Sequence, residues 1–317
     1  AAAKVGNYSL SSVAAVAGSI TPKTLSMSGL PTSTLIKVYD GTTVVSVSGS
    51  PVLAVAEAVG TGTAGDGKSY VGDSVAIIGS AVGTYNSANV GTASTVTFSG
   101  LSLTGGQASN YSLSIQAPTA GAITPAPLSV INLSVASKTY DGTTAATANT
   151  SSLMLLGVVS VDANNSAKLA LDASAVSAAF AGADVVYNGT AVTSQTVALS
   201  GLALTGTSAA NYVLMQPSAT GTINPLPISI IAVANNKTYD GLVNATATVS
   251  TTNTIALADL ASGPSKLSLA TGTATFASAN AGDGLLVTVS GIALSGTAAK
   301  NYLFNTTANA SANISKA

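Results

Sequence analysis

The segment Lys37–Thr43 reads KVYDGTT, and similar segments follow at Lys138–Thr144 (KTYDGTT) and Lys237–Val243 (KTYDGLV). The copies lie about one hundred residues apart, which is the length of a small domain. A chain built from one domain-sized unit repeated in tandem usually serves as a spacer or a display array. The recurring residues are Lys37, Tyr39, Asp40 and Gly41, then Lys138, Tyr140, Asp141 and Gly142, and finally Lys237, Tyr239, Asp240 and Gly241.

A second signature, Asn-Tyr followed by alternating apolar residues, recurs once per unit. It occurs at Asn7-Tyr8, Asn110-Tyr111, Asn211-Tyr212 and Asn301-Tyr302. A proline-containing junction follows each of the first three pairs, at Ile20-Thr21-Pro22, Ile123-Thr124-Pro125 and Ile223-Asn224-Pro225. Because proline has no N–H to donate to a β-ladder, we place the repeat boundaries at these junctions.

The predicted organisation is then four segments. Residues 1–22 are the final strands of a preceding repeat, and residues 23–125, 126–225 and 226–317 are three successive repeats. The sequence stops at Ile314–Ala317, where the first strand of a fourth repeat would begin. We therefore interpret it as part of a longer array.

Short segments of alternating apolar and polar residues, such as Leu25-Ser26-Met27, are bounded by Gly, Asn and Pro, which is typical of strands. About seven short strands in roughly 100 residues is the pattern of a two-sheet sandwich. The predicted fold class is therefore all-β: a tandem array of Ig-like antiparallel β-sandwich repeats of about 100 residues. No segment has a sustained 3.6-residue periodicity, so no helix is predicted.

One strand of each repeat changes its apolar parity by one residue across a Ser-Gly pair. In the first repeat, Val96 and Phe98 alternate before Gly100, and Leu101 and Leu103 alternate after it. Because side chains alternate with a period of two, keeping both halves on the core face needs an inserted residue. We predict a β-bulge at Gly100, Gly201 and Gly291. We also expect the Asn-Tyr strand to form a hairpin with this strand.

The composition excludes several classes of chemistry. The chain contains no His, Cys or Trp, and its only glutamate is Glu57, so imidazole and thiolate metal sites and His-dependent catalysis are impossible within it. The net charge of −1, with 7% charged residues, provides no basic patch for nucleic acid. No apolar run approaches the ~20 residues that span a bilayer. We expect no enzyme activity, no catalytic residue, no cofactor and no metal site.

The co-occurring motifs resemble the YDG repeat of large bacterial adhesins, which fills the shafts of filamentous-haemagglutinin-like secreted proteins. The resemblance covers the whole chain: Lys-x-Tyr-Asp-Gly, Ser-Gly-Leu-x-Leu, Asn-Tyr and Ile-Thr-Pro follow in order. The third copy departs from the pattern, with Leu242-Val243 in place of Thr-Thr and a shorter spacing to Asn-Tyr. The resemblance implies an extracellular location on the bacterial cell surface and an adhesive or structural role, without catalytic residues.

Three of the recurring residue types have an alternative interpretation. The motif tyrosines are either aromatic contacts for a ligand or large core residues, and we favour the core because recurring residues usually serve the packing of a repeat. Each motif aspartate precedes glycine, which favours a tight turn over a calcium site. A Lys–Asn isopeptide bond, for example between Lys138 and Asn211 beside Asp141, competes with simple pairing of the lysine to the nearby aspartate.

Two functions remain open. One is the structural stalk of an adhesin, which displays distal binding regions and reaches a host or neighbouring cell through parts outside this chain. The other is a subunit of a self-assembling extracellular filament or matrix polymer with strand-mediated end-to-end contacts, because exposed strand edges pair with whatever is available. The expected partners are other copies of the chain or adjoining repeats.

Overall fold

A computed structural model describes residues 15–317. These residues form two compact units. The first unit, as far as it is described, runs to Ala126 and also contains Val159–Val161 and Ala210–Tyr212. The second unit contains Pro127–Val158, Asp162–Ala209 and Val213–Ala317. The predicted all-β architecture of three repeats is confirmed.

The first repeat is a sandwich of two sheets. Its strands are β1 (Lys23–Ser28), β2 (Leu35–Val38), β3 (Val44–Ser46), β4 (Val52–Glu57), β5 (Lys68–Tyr70), β6 (Ala76–Tyr85), β7 (Thr95–Thr104), β8 (Tyr111–Ser114) and β9 (Thr119–Thr124). One sheet has the order β5-β4-β1-β8 and the other β2-β9-β7-β6-β3. Strand β1 shows the predicted alternation, with Lys23, Leu25 and Met27 buried and the residues between them exposed.

The second repeat is built from shorter strands. They are β10 (Ala126–Ile131), β11 (Ser134–Val135), β12 (Lys138–Thr139), β13 (Ala145–Ala146), β14 (Ala148–Asn149), β15 (Met154–Leu156), β16 (Ala170–Asp172), β17 (Ser177–Phe180), β18 (Val186–Asn188), β19 (Ala191–Thr193), β20 (Gln195–Ser200), β21 (Ala203–Thr205), β22 (Tyr212–Leu214), β23 (Ser218–Gly221) and β24 (Ile223–Asn224). Its largest sheet has the order β13-β17-β20-β23.

The third repeat contains a helix as well as strands. The elements are β25 (Leu226–Ile228), β26 (Ile230–Ala234), β27 (Lys237–Thr238), β28 (Asn244–Ala245), β29 (Ala247–Thr251), α1 (Thr254–Ala261), β30 (Ser268–Ala270), β31 (Thr273–Phe276), β32 (Gly282–Ser290), β33 (Ala293–Ser295), β34 (Tyr302–Phe304) and β35 (Thr307–Ser315). The expectation of no helix is wrong here. The Asn253 side chain accepts from the N–H groups of Ile255 and Ala256, so it caps the first turn of α1.

Parallel pairs accompany the antiparallel ones in every repeat. Strand β1 runs parallel to β8, with Leu25 opposite Leu113, and β2 runs parallel to β9, with Lys37 opposite Ile123. The Asn-Tyr strand therefore lies beside the first strand of its repeat, and the expected hairpin with the Ser-Gly strand is wrong. A 3-10 turn at Ala108–Asn110 separates β7 from β8, which belong to different sheets.

The parity change across Ser-Gly is present in the first repeat, where a register irregularity lies opposite Gly100. The prediction of a β-bulge at Gly201 and Gly291 is wrong, because there the chain passes from one sheet to another. In the first repeat, Ser99 and Gly100 are both exposed, and two residues of β6 between Gly79 and Val82 face Gly100 alone, so the extra residue is on the partner strand. In the second and third repeats the strand ends at Ser200 or Ser290 and resumes in another sheet as β21 or β33. All three glycines have positive φ: 82° at Gly100, 82° at Gly201 and 73° at Gly291.

Residues 15–22 contain no strand and are exposed. Ile20, which we expected to be a core-type residue lacking a partner sheet, is fully exposed. The Asn7-Tyr8 pair lies outside the described residues.

Candidate functional site: the recurring tyrosine junction

Strand pairing places each Tyr-Asp-Gly turn beside the end of its own repeat. Strand β12 runs parallel to β24, and the N–H of Tyr140 donates to the carbonyl oxygen of Asn224 at 2.8 Å. Pro225 and the next repeat follow directly. The same bond joins Tyr39 to Thr124 and Tyr239 to Ser315, each at 2.9 Å. The tyrosine is therefore at the point where the chain leaves the repeat.

The motif aspartate and lysine close the turn, as the turn interpretation predicts. Asp141 Oδ1 accepts from the backbone N–H of Thr143 at 2.9 Å and from Lys138 Nζ at 2.8 Å. Burial tends to raise the pKa of Asp141, but these hydrogen bonds outweigh it and leave the pKa below its usual value. The other two turns have the same Lys–Asp ion pair, Lys37 to Asp40 and Lys237 to Asp240, both at 2.7 Å.

Each motif lysine also lies over an aromatic ring of its own repeat. The Nζ of Lys138 is 5.6 Å from the ring centroid of Phe180, and the same distance separates Lys37 from Tyr85 and Lys237 from Phe276. The three lysine side chains are only 12–18% exposed and the rings are buried. A cation over a ring face contributes about 0.5–2 kcal/mol, and the larger values belong to desolvated sites such as these. The lysine thus contacts both the turn, through the aspartate, and the core of the sandwich, through the aromatic ring.

The tyrosine of the second repeat packs against the Asn-Tyr tyrosine of the third. The rings of Tyr140 and Tyr302 meet edge to face, with centroids 5.5 Å apart and planes at 77°. Both hydroxyls donate to Asp259 Oδ2, from Tyr302 at 2.6 Å and from Tyr140 at 3.1 Å. Asp259 is buried on α1, and its other oxygen pairs with Lys266 Nζ at 2.8 Å.

This environment shifts three pKa values. Burial, followed by the charge of the Asp259 carboxylate, raises the pKa of Tyr140 to about 12. Burial, followed by the hydrogen bond to Asp259, also raises the pKa of Tyr302. Burial alone would raise the pKa of Asp259, but the hydrogen bonds from Lys266, Tyr302 and Tyr140 lower it below its usual value. The carboxylate is therefore held ionised and the two hydroxyls neutral.

Asn301, the residue before Tyr302, completes the contact. Its side chain is fully buried. Its Oδ1 accepts from the backbone N–H of Val185 at 2.8 Å, and its Nδ2 donates to Asp184 Oδ1 at 2.9 Å, so both bonds reach the second repeat. We call the set of Tyr140, Asp184, Asp259, Asn301 and Tyr302 the tyrosine junction. It lies within the second compact unit.

The ring pair and the asparagine contacts occur once more, inside the first compact unit. Tyr39 and Tyr212 meet edge to face with centroids 5.3 Å apart and planes at 76°. Asn211 Oδ1 accepts from the N–H of Val90 at 2.8 Å, and its Nδ2 donates to Asn89 at 3.0 Å. The same ring pair and the same asparagine bonds thus form where the two motifs meet in both places. We conclude that the Tyr-Asp-Gly and Asn-Tyr motifs specify this contact.

The core interpretation of the tyrosines needs a correction. The motif tyrosines Tyr39, Tyr111, Tyr140, Tyr212 and Tyr302 are buried, but Tyr239 is 45% exposed. The Tyr-Asp-Gly tyrosines pack against the following repeat rather than inside their own, so the third repeat leaves Tyr239 uncovered in this chain. Asn110 is likewise exposed, whereas Asn211 and Asn301 are buried.

Sequence reasoning did not identify Asp259, Asp184 and Val185 as junction residues. Asp259 lies in the part of the third repeat whose length differs from the others, so alignment on Tyr-Asp-Gly does not reveal it. A signal for Asp184 does exist, because Asn89, Asp184 and Asn280 each stand four residues after the aromatic residue under the motif lysine.

The isopeptide alternative finds no support in the geometry. Lys138 bonds to Asp141 and Thr143, while Asn211 bonds to Asn89 and Val90, so the two side chains are engaged with different partners. Among residues 15–317, no group of three or more acidic side chains is placed to hold a metal ion. The described residues also include no helix long and apolar enough to cross a membrane.

Comparison with known proteins gives one informative result. The family model described as "YDG domain" matches residues 21–120, 124–221 and 224–310. No curated protein sequence matches the chain. Among solved structures, the crystal structure of Drosophila N-cadherin EC1-3 aligns with 93% of this chain and 98% of its own, at 8% identity and a TM-score of 0.16. So low a TM-score carries no argument about fold or function. The three family matches cover most of the sequence, and the chain belongs to the YDG domain family.

Proposed function

We propose that this chain is a structural segment of the stalk of a bacterial extracellular adhesin, without catalytic activity. The observation that carries the proposal is the tyrosine junction and its second copy at Tyr39 and Tyr212. In an array of stacked repeats, each repeat contacts only its neighbours, and these contacts stabilise the array. The recurring residues of this chain make contacts of that kind.

The chemistry of the junction suits a load-bearing connection. Tyr140, Tyr302 and Lys266 all donate to one buried carboxylate, and Asn301 bonds a buried backbone N–H. Hydrogen bonds to charged groups contribute about 1.5–3 kcal/mol, and edge-to-face rings about 0.5–1.5 kcal/mol beyond their buried area. The polar groups of Tyr140, Tyr302 and Asn301 are thus used in hydrogen bonds that hold two repeats together. This supports a structural role over a catalytic one.

Two measurements test the location and the mechanical role. Antibodies against the purified chain should label intact cells of the producing bacterium, and labelling only after lysis would contradict the extracellular location. In single-molecule pulling, the wild-type chain should unfold in force peaks that are lowered by Tyr140→Ala and left unchanged by Tyr239→Ala. Equal effects would show that the junction bears no load.

The absence of catalysis is testable separately. The purified chain should not hydrolyse ester, peptide, glycoside or phosphate substrates. Robust turnover that a single Asp or Ser substitution removes would overturn this part of the proposal.

A further inference from the structure

The first repeat contains a buried cluster of three charged side chains. Lys23 Nζ pairs with the carboxylates of Glu57 and Asp66, and its distance to Asp66 Oδ1 is 3.0 Å. The side chains of Lys23, Glu57 and Asp66 are 9%, 11% and 20% exposed. Lys23 is the only lysine that is buried among residues 15–317, and Glu57 is the only glutamate of the chain. The whole cluster lies within the first compact unit.

The fold does not require a charge at this position. Lys23 directly follows the junction proline Pro22, and the residues that follow the other two junction prolines are Ala126 and Leu226. Each of them begins the corresponding strand of its repeat, β10 or β25. A buried ion pair often stabilises a protein no more than apolar residues in its place. The cluster is therefore better explained by a chemical role than by packing.

The surroundings of Asp66 suit attack on its carboxyl carbon. The backbone N–H of Thr63 donates to Oδ2 at 2.8 Å, and that of Lys68 donates to Oδ1 at 3.1 Å. Fixed donors of this kind stabilise the negative charge that develops on the oxygens when a nucleophile adds. The Nζ of Lys23 is also held over the ring of Tyr70, 4.3 Å from its centroid. Groups that are held about 3 Å apart react as if at very high concentration.

Glu57 lies where a proton carrier is needed. It contacts Lys23 Nζ directly and is within hydrogen-bonding reach of Asp66. Gly62 permits this approach, because a Cβ there would overlap an oxygen of each carboxylate. Burial alone would lower the pKa of Lys23, but the hydrogen bonds and charges of the two carboxylates raise it above its usual value. The starting state is therefore an ammonium beside a carboxylate, and a base in contact with the ammonium must take its proton.

We propose that Lys23 and Asp66 join in an intramolecular isopeptide bond, with Glu57 as the proton carrier. Glu57 accepts a proton from the ammonium, and the freed Nζ adds to Asp66 Cγ, which forms the C–N bond. Glu57 carries two protons in succession from the nitrogen to one Asp66 oxygen, the Cγ–O bond breaks, and that oxygen leaves as water. One ammonium and one carboxylate thus become an amide and water. No oxidant, reductant or co-reactant is needed, and Glu57 ends unchanged.

This bond is distinct from the alternative between Lys138 and Asn211, whose side chains are engaged elsewhere. It fastens β1 to the loop between β4 and β5 by a covalent link. The bond forms once in each chain, so it adds no turnover. The proposed stalk function stands whether or not this link forms.

Mass spectrometry of the intact 317-residue chain tests the proposal. The wild type should be lighter than its sequence mass by one water molecule. Trypsin should release residues 5–37 and 38–68 as one branched product that is not cleaved after Lys23. This digest is essential because Asp66 precedes Gly67, and an Asp-Gly pair can also lose water as a cyclic imide, which leaves the two peptides separate.

Three variants assign the roles. Lys23→Arg keeps the charge but cannot form the amide, and Glu57→Gln removes the proton carrier, so both should have their full sequence masses. The matched control is Lys138→Arg, which changes the ion pair with Asp141 and should lose water like the wild type. A link that closes a loop of roughly forty residues restricts the unfolded chain, so Lys23→Arg should also melt about 10 °C or more below the wild type.

The proposal is overturned if the wild type has its full sequence mass, or if it loses water while residues 5–23 and 38–68 appear as separate peptides. The role of Glu57 is overturned if Glu57→Gln is linked as completely as the wild type. Because the mass and the digest of the wild type decide whether the bond exists, a variant that fails to fold leaves the test intact.

Discussion

Tyr140 and Tyr302, residues of successive repeats, donate their hydroxyl protons to the same oxygen of Asp259 while their rings meet edge to face at 5.5 Å. The Tyr-Asp-Gly motif and the Asn-Tyr motif, which occur at opposite ends of each repeat, are thus two parts of one contact. Neither motif is complete within its own repeat, and this explains why both recur with the period of the domain.

Replacing Asn301 by alanine should destabilise the second compact unit by about 1–3 kcal/mol, because the buried N–H of Val185 loses its acceptor. The matched control is Asn110→Ala, which alters the same motif where the side chain is exposed, and should change stability by less than about 0.5 kcal/mol. Urea unfolding of both variants measures the difference. Similar losses in the two variants would show that Asn acts within its own repeat.

Tyr140→Ala should cost about 3–5 kcal/mol, the usual result of emptying a large aromatic core site. The same substitution at Tyr239, in an identical turn with an exposed ring, should cost much less because it leaves no cavity. Calorimetry of the isolated chain compares them. A large loss in Tyr239→Ala would mean that the tyrosine mainly stabilises its own turn.

Alkaline pH should weaken the tyrosine junction. The folded-state pKa of Tyr140 is raised to about 12 from an ordinary value of about 10, so its contribution to stability is complete below pH 10. As the pH rises from about 10 to about 12, the unfolded chain loses the proton first and this contribution disappears. The free energy of unfolding, measured by urea titration across this range, should fall more steeply in the wild type than in Tyr140→Phe. Parallel slopes in the two proteins would exclude the shift.

Gly201→Ala should destabilise the chain more than Gly291→Ala, although both glycines have similar positive φ values of 82° and 73°. Left-handed backbone costs an L-residue about 1–2 kcal/mol at either position. A Cβ at Gly201 would also overlap the carbonyl oxygen of Ala175, whereas its nearest neighbour at Gly291 is 4.0 Å away. We expect about 1–3 kcal/mol of additional loss at Gly201 from this overlap, measurable by thermal unfolding. Equal losses would show that the backbone conformation alone requires glycine.

Local features could be predicted from the sequence because their causes lie within a few residues. The period of the motifs predicted three repeats, and alternation predicted strands such as β1. Asp before Gly predicted the turn that Asp141 forms with Thr143. The parity change predicted the irregular pairing at Gly100, but at Gly201 and Gly291 it marks a change of sheet and not the predicted bulge. Each of these inferences depends on side-chain period or on hydrogen bonds between neighbours in the chain.

The partners of the motifs were decided by tertiary structure alone. Tyr140 and Asp259 are 119 residues apart in sequence. No pattern in the residues around Tyr140 indicates which distant side chain its hydroxyl will meet. Strand β8 pairs with β1 and not with β7, and the turn at Ala108–Asn110 carries the chain from one sheet to the other. The recurrence of the two motifs predicted that Tyr140 and Tyr302 would be buried. Only the packing of one repeat on the next determined that their rings contact each other. A residue's type and its local pattern can indicate that it will be buried, but its partner depends on how distant parts of the chain pack together.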